Sequence, residues 1–92
     1  MRTRLCLHYL VTGRVQGVGY RAAACAAARG LGLTGWVRNT PQGKVELMAC
    51  GDAAALGEFE TWLWQGPAQA QVTAVVKSVA APADFSGFDI QG

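Results

Sequence analysis

The hydrophobic period of this chain switches from two to helical and back, and does so twice, which constrains the fold more than any other feature. The run "LCLHYLVTG" (5–13) alternates, with Leu5, Leu7, Tyr9 and Val11 on one face and Cys6, His8, Leu10 and Thr12 on the other. That is the pattern of a half-buried strand. Arg21 to Leu31 is alanine-rich, has high helix propensity, and stops near Gly30 and Gly32. "GWVRNT" (35–40) reads as a second strand and "KVELMACG" (44–51) as a third. In the third, Val45, Leu47 and Ala49 point inward and Lys44, Glu46 and Met48 outward. The link Pro41-Gln42-Gly43 is short enough to make these two a hairpin. Asp52 stands as the N-cap of an amphipathic helix over 53–65, with Leu56, Phe59 and Leu63 on its apolar side and Gly66-Pro67 at its end. Val72 to Val79 is a fourth strand, and "FSGFDI" supplies a short final one.

The order β-α-β-β-α-β, plus a terminal strand, closes in one economical way. Two right-handed βαβ crossovers interlock into an α+β, ferredoxin-like split β-α-β sandwich, with both helices on one face of an antiparallel sheet. The first and third strands lie side by side in its centre. Residues 13–20 then sit at one end of a central strand and lead into the first helix. A chain of 92 residues has room for one domain, expected over 1–92, and for one modest core.

Charge and composition exclude more than they assign. The net charge of +2 is too small to point to nucleic acid or an anionic membrane, yet a small anion reads only a few local charges. No apolar run approaches transmembrane length, and that of the N-terminus is too short for a signal peptide, so a cytoplasmic protein is expected. Cys6, Cys25 and Cys50 are widely spaced, with one histidine, His8, and no CxxC pair. No metal site is expected from that set. In a reducing cytosol three free, partly buried thiols are the default. Cys6 and Cys50 nevertheless fall on one face of adjacent antiparallel strands, close enough to bond under oxidising conditions.

The turn "RVQGVGYR" (14–21) carries the chemistry. Glycine sits where a backbone must reach positive φ or lie against something. Here Gly17 and Gly19 precede a helix whose first amides lack intrahelical partners and whose end carries partial positive charge. Glycines at such a place let successive N–H groups converge on an anion, and Arg21 adds a forked, permanently charged donor. Alone, a glycine-bearing strand-to-helix turn with one arginine more often serves structure than a ligand.

Two longer stretches extend the pattern. "VTGRVQGVGYR" (11–21) followed by "GWVRN" (35–39) resembles the two signatures of the acylphosphatase family, and the resemblance runs on through "GKVELMACG", "GPAQAQV" and "GFDI". Gln42 stands where that pattern would carry an acidic residue, in the hairpin turn. The resemblance implies hydrolysis of acyl phosphates, mixed anhydrides of a carboxylic acid and phosphate, with no metal or other cofactor. It places the phosphate-binding arginine at Arg21 and the water-positioning asparagine at Asn39. The amides of Gln16, Gly17, Val18, Gly19, Tyr20 and Arg21 would form the cradle, and Thr40 is a candidate assistant. The residue chemistry agrees: with a good leaving group, positioning and charge stabilisation suffice. An asparagine both accepts from and donates to a water without repelling a dianion.

Other readings fit less well. RNA-binding modules of this topology stack bases on outer-face aromatics of the first and third strands. Here those positions hold Cys6, His8, Leu10, Lys44, Glu46, Met48 and Cys50. His8, remote from the turn, is expected to be solvated, as are Glu58 and Glu60. Trp62 is expected to pack and Trp64 to be partly exposed. Acylphosphatase-like domains also occur inside larger hydrogenase-maturation carbamoyltransferases; a chain beginning at Met1 and ending after the last strand favours a free-standing enzyme, and a monomer is expected. A module that binds without hydrolysing is the remaining alternative.

Overall fold

The computed structural model describes residues 4–91. Its elements are β1 (Leu5–Arg14), α1 (Tyr20–Gly30), β2 (Thr34–Asn39), β3 (Val45–Gly51), α2 (Ala53–Gln65), β4 (Gln71–Val79) and β5 (Phe88–Gln91). All seven expected elements are present. Most ends fall within a residue of the expected ones; the last strand starts at Phe88 rather than near Phe85.

The sheet runs β4-β1-β3-β2-β5. β1 pairs antiparallel with both β3 and β4, and β3 with β2, as the split β-α-β reading requires. β5 joins β2 in parallel, so the five-stranded sheet is mixed rather than wholly antiparallel. The connectivity explains this. β4 and β5 lie at opposite edges, so residues 80–87 must cross the sheet before pairing. The Ala80 N–H still extends the β4–β1 ladder, donating to Cys6 O at 2.9 Å; beyond it the crossing passes Cys6, with Ala83 O 3.8 Å from its Sγ.

Alternation places the core between the sheet and the two helices. Tyr9 and Val11 of β1, Val37 of β2, and Val45, Leu47 and Ala49 of β3 are fully buried. Against them lie Ala24 and Ala28 of α1, four residues apart on one face, and Leu56, Phe59 and Leu63 of α2. Each large apolar side chain so removed from water contributes about 1.5–3 kcal/mol before conformational entropy is set against it. The Phe59 ring meets Tyr9 and Phe88 edge-on, 6.2 and 6.0 Å between centroids, and stacks on Trp62. Trp62 thus packs, and Trp64 is half exposed, as its helix position suggested.

Several expectations need correction. Leu5, assigned inward, is exposed at the strand's first position. Cys6 and Cys50 lie on the outer face and are buried, with Ala83 of the crossing segment against Cys6. They are not free thiols: directly opposite in register and 4.1 Å apart at Cα, they form a disulfide, and only Cys25 remains reduced. Glu60 is not simply solvated, since Lys77 Nζ lies 3.0 Å from its carboxylate. His8 sits on the outer face as expected, yet Nε2 is 2.6 Å from Glu46 Oε2.

Candidate active site

The site grows from the gap between Arg14, where β1 ends, and Tyr20, where α1 begins. Val15 is buried and Val18 packs against the core, so two apolar side chains hold the turn down from beneath. Between and after them Gly17 and Gly19 take φ values of +74° and +79°. Any L-residue there is strained by roughly 1–2 kcal/mol. A Cβ at either glycine would touch nothing within 4 Å, so the need is conformational, not steric. Left-handed residues alternating with one of ordinary φ turn neighbouring N–H groups toward one side, the geometry of an anion-binding nest.

The helix start completes the concavity. Gly19 caps α1 with no side-chain hydrogen bond, and its first turn holds no acidic residue. The leading amides and the positive end of the helix dipole are therefore left facing outward. Tyr20 contributes only its backbone here. Its ring is buried against Trp62, 5.4 Å between centroids, and its hydroxyl donates to Leu63 O at 2.7 Å. Burial pushes the phenol well above its ordinary range, so it stays neutral. Tyr20 is an anchor that ties the first residue of α1 to the last turn of α2.

Arg21 and Asn39, eighteen positions apart in the chain, line one cavity of about 190 Å³ together with Gly17 and Gly19. Asn39 arrives there because it is the last residue of β2 and shares the helix-side face with Val37. Its Oδ1 is buried and has no hydrogen-bond partner among the described residues. An acceptor left so costs about 1–3 kcal/mol, which a structure retains where a ligand or water is to be received. Val15 and Ile90 supply apolar walls, and among the described residues no side-chain carboxylate lines the cavity. Ile90 escaped the sequence reading, because nothing in "GFDI" says which edge of the sheet β5 will join.

Two other assigned residues have their side chains engaged outside this cavity. The Gln16 side chain turns away from the cavity and donates from Nε2 to Thr40 O and to Lys44 O, both at 2.9 Å. The Thr40 hydroxyl accepts from the Lys44 N–H at 3.2 Å and closes the β2–β3 turn instead of entering the cavity.

On the sheet's outer face Glu46 receives His8 on one oxygen and Arg38 on the other, both at 2.6 Å. Its carboxyl is held below the ordinary 4.5, chiefly by the hydrogen bond from His8 and then by Arg38 against the cost of burial. The Arg38 guanidinium also lies over the Trp36 ring, 5.2 Å from its centroid. A second cavity of about 330 Å³ adjoins this cluster, lined by Leu10, Arg38, Gln42 and Glu46 and reaching Asn39. Among the described residues no three His, Cys, Asp or Glu side chains converge as a metal site would need, and no helix is long and apolar enough to cross a membrane.

Comparison with known proteins points the same way. The family model for acylphosphatase matches residues 7–90. A curated acylphosphatase of Methylococcus capsulatus is 49% identical over 85 residues, covering 91% of this chain and 92% of the relative. The solved structure of an acylphosphatase from Coxiella burnetii superposes with a TM-score of 0.93 at 41% identity, covering 96% of this chain and 93% of the other. Full-length HypF, 18% identical, contains the same fold in 12% of its length, with a TM-score of 0.89 over the whole of this chain. Matched along nearly its full length in sequence and in structure, the chain belongs to the acylphosphatase family.

Proposed function

We propose that the chain is a metal-independent acylphosphatase, hydrolysing acyl phosphates to a carboxylate and inorganic phosphate, with the cavity between Arg21 and Asn39 as its active site. The observation that carries this reading is the meeting of three features in one cavity: left-handed glycines before an uncapped helix, an arginine, and an asparagine whose buried acceptor lacks a partner among the described residues. The amides of residues 16–21 and the Arg21 guanidinium hold the phosphate oxygens. Asn39 orients a water through its side-chain amide. The water oxygen bonds to phosphorus while the phosphorus–oxygen bond to the acyl group breaks, and the carboxylate leaves with the electron pair. The water's protons pass to a phosphate oxygen and to solvent. A carboxylate needs no general acid to leave, and among the described residues that line the cavity no Asp, Glu or His is found.

In this reading residues 1–92 act as one domain, and the enzyme is a cytoplasmic monomer whose ligand is a small acyl phosphate rather than nucleic acid or membrane. The single buried cluster that joins both helices to the sheet supports the one-domain view. The test is hydrolysis of benzoyl phosphate by the purified chain in excess chelator. Turnover unchanged by the chelator supports the proposal; a chain that binds phosphate but does not hydrolyse is a binding module, and loss of activity on chelation refutes the metal-free mechanism.

A further inference from the structure

One amide group links the two halves of the site. Gln16 Nε2 carries two N–H bonds, and both are used: one to Thr40 O, one to Lys44 O, each at 2.9 Å. The acceptors flank the β2–β3 turn, and the first belongs to the residue immediately after Asn39. The strand ladder gives no support beyond that point, since the β2–β3 pairing ends at Asn39 opposite Val45. Past it the turn is held by its own bonds, Thr40 N–H to Lys44 O at 2.9 Å and Gly43 N–H to Thr40 O at 3.2 Å. Gln16 adds a side-chain tie from the opposite wall. On its own side it is followed at once by Gly17, the first left-handed residue of the cradle.

We infer that Gln16 is a positioning residue, whose side chain sets the distance between the anion cradle and Asn39; this rests on the hydrolytic reading above. The chemistry of the contact is restrictive. Both partners are carbonyl oxygens, so the group facing them must present two donors and no negative charge. A carboxylate would set acceptor against acceptor, and a thioether would leave both carbonyls with fewer donors. The cradle keeps its own geometry without this tie, because Val15, Val18 and Tyr20 anchor it to the core. What Gln16 adds is the register of Asn39 relative to that cradle. Its effect therefore falls on the step that needs both, the attack of the water, and not on the holding of phosphate. Displacing a reacting group by about 1 Å costs on the order of 10²-fold in rate.

The experiment is a double-substitution cycle read by kcat and by competitive inhibition with inorganic phosphate. Gln16→Met should lower kcat by about 10–100-fold while the phosphate Ki changes by less than about threefold. In an Asn39→Ala background the same change should lower kcat by less than about threefold further, because residues that act as a unit do not add. Gln16→Glu should be at least as damaging as Gln16→Met. A side chain serving only stability would lower the melting temperature, leave kcat of the folded enzyme near that of wild type, and add its full effect in both backgrounds; that outcome overturns the inference. If Gln16→Met fails to fold, Gln16→Asn, which keeps the amide but is one methylene too short for both carbonyls, decides by the same two readings. A wild-type chain that hydrolyses no acyl phosphate overturns the activity reading itself, whereas an active wild type with an unaffected Gln16→Met overturns only this inference.

Discussion

The two helices begin in opposite ways. At α2, Asp52 sits in extended conformation and its Oδ1 accepts the Ala55 N–H at 2.8 Å, the ordinary way of satisfying a helix start. At α1, the corresponding residue is Gly19 in left-handed conformation, with no side-chain cap. Because β1 and β3 are antiparallel neighbours, the two helix starts lie at opposite ends of the sheet. The α2 end is closed: it holds the Cys6–Cys50 disulfide and the segment that crosses over it. The α1 end is open, with no side-chain cap, two left-handed glycines and a buried acceptor that has no partner among the described residues. A helix start that serves only the fold is satisfied by its own chain; one left unsatisfied, in the same fold and the same core, is available to a ligand.

The largest effect should come from making the open end resemble the closed one. Gly19→Asp puts a carboxylate where the cradle is to receive an anion, and the left-handed conformation strains it as well. A loss of about 10³-fold or more in kcat/KM for benzoyl phosphate is expected from the folded protein, beside a melting temperature lowered by about 4–8 °C per kcal/mol of strain. Retention of wild-type kcat/KM would remove the helix start from the site.

Alkali acts on the floor common to both ends. Burial, with a lesser push from Glu60, raises the Tyr9 phenol from 10.0 to about 12, and its hydroxyl has no partner among the described residues. A proton held more tightly in the folded state gives stability that is full below pH 10 and lost as pH rises toward 12. Tyr9→Phe should flatten that decline in urea titrations and cost little at neutral pH, since it removes an unbonded hydroxyl. A decline of undiminished slope in Tyr9→Phe would assign the alkaline loss to other groups.

The smallest effect belongs to the closed end. Asp52→Ala removes a cap and should lower stability by about 1 kcal/mol with kcat and KM unchanged. An activity loss without a stability loss would contradict the division between the two ends.

Much of this division was legible in the residues. Alternation in 5–13 and 44–51, the apolar spacing of Leu56, Phe59 and Leu63, and the Asp52 cap located the core and the closed helix start. The glycines of "RVQGVGYR", read with "GWVRN", placed Arg21 and Asn39 at one end of the sheet, where they do line one cavity. What the residues did not disclose depends on long-range packing. The parallel pairing of β5, which brings Ile90 to the cavity, follows from a crossing that no local pattern encodes. That crossing also passes over Cys6, which parity had placed with Cys50 on the outer face as partly buried thiols. Gln16 was read as backbone, because its side-chain acceptors lie 24 and 28 residues away. Glu46 was read only as facing outward, and it is the register that sets His8 and Arg38 on either side of it.

The central claim is that the open end holds phosphate through Arg21 and a water through Asn39, and inhibition by inorganic phosphate in the two alanine variants tests it most directly. Both variants should lose about 10²–10³-fold in kcat. Arg21→Ala should also weaken phosphate inhibition strongly, and Arg21→Lys should not restore it, because a point charge does not reproduce a forked grip. Asn39→Ala should bind phosphate nearly as wild type does while turnover collapses. Phosphate inhibition lost in Asn39→Ala but kept in Arg21→Ala would reverse the assigned roles and contradict the account.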